Sequence, residues 1–183
     1  VQGGTSGIGS MAVQMLNAHG AVPVTLAGGA DKAAWSRAHG AKLAIDYQAE
    51  DFVPAVKNYT GGRGVDIILD MVGGAYLPRH LECLAPRGRL VCIATQQGTI
   101  GALDLRTMMR QRALITGTTL RGRSAAEKAR LAHAVERRVL PWVAQGLVKP
   151  LISHVFPINQ AGEAHKVLES GAQRGKVLLE VCS

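Results

Sequence analysis

Gly3-Gly4-Thr5-Ser6-Gly7-Ile8-Gly9, preceded by Val1-Gln2, is the stretch that decides the fold of this 183-residue chain. A glycine-rich loop between a strand and a helix turns backbone N–H groups and the positive end of the helix dipole toward a pyrophosphate, and only small residues allow that close an approach. As a dinucleotide fingerprint the loop runs Gly4-x-Ser6-x-x-Gly9, with Ser6 in the place of the middle glycine and Gly7 beside it. Val1-Gln2 reads as the remnant of a first strand, so a natural N-terminus is expected upstream. Ile8, Ala12, Met15 and Leu16 share one face of a helix expected over 7–19, which Gly20 stops.

Outward from the loop, short β-branched runs alternate with helical stretches, the pattern of repeated βα units and a parallel sheet. Strands are expected over 21–27, 42–46, 65–70, 89–94 and 113–117. Pro23 is awkward within the first of these because it removes a backbone donor. The almost wholly apolar Val65-Asp66-Ile67-Ile68-Leu69-Asp70 should be buried on both faces. Helices are expected over 31–39 and 49–59, from Gly73-Gly74 to near Pro86, and over 105–110. A long helix over 124–145 has Ser124 and Glu127 as a capping box and Pro141 to bend or end it. The tail then changes character, with strands over 150–157 and 176–181 around a helix over 160–170. The expected fold class is therefore α/β. A Rossmann-type doubly wound parallel sheet occupies residues 1–149, and a strand-helix-strand extension occupies 150–183.

Composition narrows the function classes. With 47% hydrophobic residues, 4% aromatics and 22 glycines, the chain suits an Ala/Val/Leu-packed sheet with many tight turns. No apolar run approaches the roughly 18 residues of a membrane span, and no targeting signal opens the chain. Cys83, Cys92 and Cys182 form no C-x-x-C pair and read as reduced thiols of a cytoplasmic protein. The net charge of +8 is spread over loops and helices with no interleaved aromatics, which argues against nucleic acid. The six histidines have no pair at metal-ligand spacing, so no metal is expected. Asp70, at a strand end, is explained as well by a strand-to-loop hydrogen bond as by chemistry.

The choice between NAD and NADP is made where the second strand ends, because an acid there bonds the ribose 2'-hydroxyl and repels a 2'-phosphate. That place is Ala27-Gly28-Gly29, with no carboxylate before Asp31, Lys32 directly after it, and Tyr47 just past the next strand. NADPH is the expected cofactor.

At this level the chain resembles the zinc-independent, zeta-crystallin-like quinone oxidoreductases of the medium-chain dehydrogenase/reductase superfamily. The resemblance rests on Gly3 to Gly9, Tyr59-Thr60-Gly61-Gly62-Arg63-Gly64-Val65-Asp66, Leu69-Asp70-Met71-Val72-Gly73-Gly74, Leu84-Ala85-Pro86-Arg87-Gly88-Arg89-Leu90-Val91, Thr116-Gly117-Thr118-Thr119-Leu120-Arg121 and Gly175-Lys176-Val177. It implies hydride transfer from NADPH to a quinone or enone without a metal, in a homo-oligomer, a dimer. It places Ser6, Gly7 and Ile8 at the pyrophosphate, and Gly28, Lys32 and Tyr47 around the 2'-phosphate. Val72, Ile93, Ala94, Thr95, Thr118, Thr119 and Leu120 fall along the nicotinamide half. Gly29 stands where the family commonly has a serine. The substrate-facing residues belong to an N-terminal catalytic domain of about 130 residues, so no catalytic residue is assigned. Residues from about Pro150 onward are expected to pack on that domain and, without it, to expose Val155, Phe156 and Leu178.

Two other readings compete. The loop also suits a short-chain dehydrogenase, but that class needs Tyr-x-x-x-Lys on one helix face, and Tyr47, Tyr59 and Tyr76 are followed four residues on by Asp51, Arg63 and His80. A non-catalytic NADPH-binding module, or an inactive fragment, is the alternative of another class.

Overall fold

The computed structural model describes residues 1–181, so Cys182 lies outside the described residues. Helix α1 (Gly9–Ala18) leaves the glycine loop directly, and strands β1 (Val24–Ala27) and β2 (Leu43–Asp46) pair in parallel around helix α2 (Ala30–Ala38). Helix α3 (Phe52–Tyr59) leads into β3 (Val65–Asp70). A short 3-10 turn and α4 (Leu77–Cys83) lead into β4 (Leu84–Cys92), and α5 (Leu105–Gln111) into β5 (Leu114–Gly117). Strands β3, β4 and β5 are parallel neighbours in that order.

Residues 1–4 join the two groups of strands. The Leu26 N–H donates to the Val1 carbonyl and the Gly4 N–H to the Leu26 carbonyl on one side; the Gln2 N–H donates to the Leu69 carbonyl on the other, each at 3.1 Å. The spatial order is thus β2, β1, residues 1–4, β3, β4, β5, which is the doubly wound arrangement with its switch point between residues 1–4 and β3. Ligands of such sheets lie in the crevice outside the strand ends at that point.

The main core lies on one side of this sheet. Leu26, Ile45, Ile68 and Leu90 from the strands meet Phe52 and Val56 of α3 and Leu81 of α4. On the other side α2 packs Ala33 against Ala27 and Ala44. Pro23 causes no difficulty, because it is buried just ahead of β1 and only its carbonyl is used, accepting from the Lys42 N–H at 2.8 Å.

Two expectations are corrected. Strand β3 is not covered on both faces: Ile68 and Asp70 are buried, but Ile67 is 59% exposed. Its register partners Arg89 and Leu114 are exposed too, because α3 and α4 lie on the opposite side of the sheet. The helix expected to run to Pro86 stops at Cys83, and β4 begins at Leu84, paired with Val65. A residue before proline avoids the helical region, so Ala85 favours the extended chain.

Helix α6 (Ala125–Arg138) has the full Ser124/Glu127 capping box, and a break at Val139 separates it from α7 (Leu140–Ala144), where Pro141 sits in the first turn. None of the α6 residues is buried. The tail forms a separate parallel pair, β6 (Ile152–Pro157) and β7 (Lys176–Glu180), around helix α8 (Ala161–Ser170). Val155 is 55% and Leu178 40% exposed, while Phe156 is half-buried.

Candidate cofactor site

The glycine loop closes on itself. Gly3 has φ +60°, and a Cβ on Gly9 would lie 2.1 Å from the Gly3 carbonyl oxygen, so nothing larger than glycine fits at position 9. The Ser6 N–H donates to the Gly3 carbonyl at 2.8 Å, and the Ser6 hydroxyl accepts from the Gly9 N–H at 2.9 Å. That hydroxyl therefore satisfies one of the open donors of the first helical turn. The N–H groups of Gly7 and Ile8 make no hydrogen bond to any described residue. Ser6, Gly7 and Ile8 are thus together at the start of α1, with two free donors and the helix dipole facing the crevice.

At the end of β1, Gly28 and Tyr47 are also brought together: a Cβ on Gly28 would lie 2.6 Å from the Tyr47 hydroxyl oxygen. Gly29 has φ +103°, which favours glycine over the family serine, and its N–H donates to Asp46 Oδ1 at 2.8 Å. The same oxygen accepts from the Gln48 N–H at 3.0 Å. Asp46, which the sequence reading passed over, thereby ties the end of β2 to that of β1 on either side of Tyr47. Its only signal in the sequence is a carboxylate at a strand end. Lys32 is not free beside Gly28; its ammonium donates to the Gly171 carbonyl at the end of α8, at 2.6 Å.

The remaining candidates sit on the loops leaving β3, β4 and β5 at the same edge of the sheet. The loop through Val72 and the loop through Ile93, Ala94 and Thr95 are joined: Gln97 N–H donates to the Val72 carbonyl at 2.8 Å and Gln96 N–H to the Met71 carbonyl at 3.1 Å. Val72, Ile93 and Ala94 are half-buried, while Thr95, Thr118, Thr119 and Leu120 are exposed. Arg123 holds the last group, donating to Thr118 Oγ1 at 2.6 Å and to the Thr119 carbonyl at 2.9 Å.

Beneath these loops lies a buried polar chain. Asp70 accepts from the Val72 N–H at 2.8 Å and the Gly73 N–H at 3.3 Å, so the strand-to-loop explanation of this carboxylate holds. Its Oδ2 stands 3.7 Å from His80 Nδ1, and His80 Nε2 meets the Gln2 side-chain amide at 2.5 Å. All three residues are buried. Burial pulls the His80 imidazole down to about 4, against the opposing pull of the Asp70 charge. The network joins the root of the glycine loop to the loop that carries Val72. Cys83, also buried, has its thiol pushed up to about 12 by desolvation and is inert at neutral pH.

The sequence profile of the zinc-binding dehydrogenases matches residues 39–179. The chain belongs to the zinc-binding dehydrogenase family. Among curated relatives, quinone oxidoreductase 1 of Escherichia coli (strain K12) is 31% identical over 94% of this chain and 53% of that protein. The Homo sapiens quinone oxidoreductase is 27% identical over 98% of this chain and 53% of that protein. Among solved structures, the E. coli quinone oxidoreductase complexed with NADPH superposes with TM-score 0.85 at 30% identity, covering 98% of this chain and 56% of that one. An NAD-dependent alcohol dehydrogenase superposes with TM-score 0.84 at 29% identity, over 99% of this chain and 50% of that one. The chain spans about half the length of the curated relatives it matches.

Quinone oxidoreductases, to which the sequence blocks pointed, are among these relatives, and the family match sets aside the short-chain reading. The family profile begins only at residue 39, so for the glycine loop itself the likeness rests on the longer-matching relatives. The family name raises a zinc site; among the described residues no three His, Cys, Asp or Glu side chains gather where they could hold a metal ion. A dinucleotide fits better, because the tight Gly3–Gly9 closure leaves donors open at Gly7 and Ile8. Among the described residues no helix is long and apolar enough to cross a membrane.

Proposed function

We propose that this chain is the cofactor half of an oxidoreductase that passes hydride from NADPH to a quinone or a similarly conjugated carbonyl. The observation that carries the reading is the pair of free N–H groups, Gly7 and Ile8, at the switch point of a doubly wound sheet. Similarity to a quinone oxidoreductase solved with NADPH supports it.

Ser6, Gly7 and Ile8 take the pyrophosphate. Gly28, Lys32 and Tyr47 surround the 2'-phosphate. An ammonium has three donors, so Lys32 can keep the Gly171 carbonyl and still reach a phosphate oxygen. Val72, Ile93, Ala94, Thr95, Thr118, Thr119 and Leu120 flank the nicotinamide, with Asp70 fixing the Val72–Gly73 turn from below. Bound NADPH supplies the hydride, from the nicotinamide C4. The protein's share is to hold that carbon against the acceptor and keep water away.

Residues 1–149 form the NADP-binding unit, and residues 150–183 pack on a catalytic domain that precedes this chain in the longer protein. That protein is a cytoplasmic dimer. The test is NADPH consumption with a panel of quinones and enones. The 183-residue chain alone is expected to give no turnover, and a longer form carrying a preceding domain of about 130 residues is expected to be active. Robust turnover by the chain alone would refute the need for that domain. An inactive longer form that still binds NADPH would favour the non-catalytic module.

A further inference from the structure

Resting on the NADPH reading, we infer that Lys176 is a pyrophosphate-binding residue, delivered to the glycine loop from the far end of the chain. A Cβ built on Gly7 would lie 2.7 Å from Lys176 Cδ and 2.8 Å from both Cε and Nζ. The end of the lysine side chain, ammonium included, therefore lies against Gly7, beside the open N–H groups of Gly7 and Ile8. The ammonium is exposed and makes no salt bridge or side-chain hydrogen bond to a described residue. A flexible surface lysine would have no reason to be there; the backbone leading into it gives the reason.

Gly175 threads between two other segments. Its N–H donates to the Thr5 carbonyl at 2.8 Å, and it pairs in parallel with Ser6. With φ +89°, and with a Cβ that would lie 2.1 Å from the Leu151 carbonyl oxygen, the position admits only glycine. The Lys176 N–H then donates to that same Leu151 carbonyl at 2.7 Å. Both sides of the crossing are fixed, so the Lys176 backbone is held above the loop and its side chain has a short path to Gly7. Gly175-Lys176 is thus a device that brings a cation to a helix N-terminus already poised for an anion. A pyrophosphate seated there meets two N–H donors and an ammonium, a charge-assisted arrangement for a group that NADH and NADPH share.

That shared group separates Lys176 from Lys32. Titrations of NADPH and of NADH by nucleotide fluorescence on the intact chain, for wild type, Lys176→Ala and Lys176→Arg, test the inference. Lys176→Ala is expected to weaken both nucleotides by the same factor, roughly tenfold, and the gap to wild type is expected to narrow as salt is raised. Lys176→Arg is expected to retain wild-type affinity for both, and Lys176→Gln to repeat the loss. Unchanged affinities in Lys176→Ala, with wild type binding, would overturn this inference alone. A loss confined to NADPH would move Lys176 to the 2'-phosphate and overturn it as well. If wild type binds neither nucleotide, the NADPH reading and this one fall together.

Discussion

Helices α3 and α6 begin alike and end differently. Asp51 caps α3 by accepting from the Val53 N–H, and Ser124 with Glu127 caps α6. Yet α3, at 8 residues, buries Phe52 and Val56 to 1% and 5% exposure, whereas the 14 residues of α6 include none that is buried. On α6, Leu131 and Val135 stay 41% and 48% exposed. Caps decide where a helix starts; a sheet face to cover decides what it buries. Around β1 to β4 that face exists, and α6 finds none among the described residues.

The largest effect that sharpens this contrast is expected in the core under β4. Leu90 is fully buried, so Leu90→Ala should cost about 2–5 kcal/mol of unfolding free energy in urea. A loss of the size expected for an exposed site would mean that the sheet is not the stable part of the molecule.

Next is the buried polar chain. The His80 imidazole is held neutral in the folded state, down at about 4, while an unfolded histidine titrates near 6.5. The unfolded chain therefore binds the proton first. The contribution is fully present above about pH 6.5 and is lost as pH falls toward 4, on the order of 3 kcal/mol in total. His80→Gln should flatten that part of the stability curve, and an unchanged slope would contradict the burial assigned to His80.

Smaller still is Ser124→Ala, worth about 1 kcal/mol of helix stability. Because α6 packs on no core residue, the loss should appear as faster amide exchange along α6 with little change in global unfolding. Smallest is Leu131→Ala, expected within about 0.5 kcal/mol. A loss comparable to that of Leu90→Ala would show that α6 is packed in solution and would break the contrast.

Much of the fold was legible in the residues. The glycine loop, the alternating β-branched runs, the Ser124/Glu127 box and Pro141 are local signals, and each acts where it stands. What depended on distant partners was not legible. The exposure of Ile67 follows from having no helix over β3 on that side of the sheet, where α2 covers β1 and β2, which the apolar run from Val65 to Leu69 cannot reveal. Leu84 ends the preceding helix by pairing with Val65, nineteen positions away. At the site, Ser6, Gly7 and Ile8 were readable from spacing, whereas Asp46 and the Gln2–His80–Asp70 chain required strand ends to be brought side by side. Gly175-Lys176 stood out in the sequence only as part of a family block. Its contact with Gly7 joins residues at opposite ends of the chain, and no local pattern encodes it.

The NADPH site at the glycine loop is the central claim, and the most direct measurement is a paired fluorescence titration of the chain with NADPH and NADH, repeated for Lys32→Ala. Tighter binding of NADPH is expected, with Lys32→Ala costing about 1–3 kcal/mol for NADPH and leaving NADH unchanged. Equal affinities for the two nucleotides in wild type, or binding of neither, would contradict it.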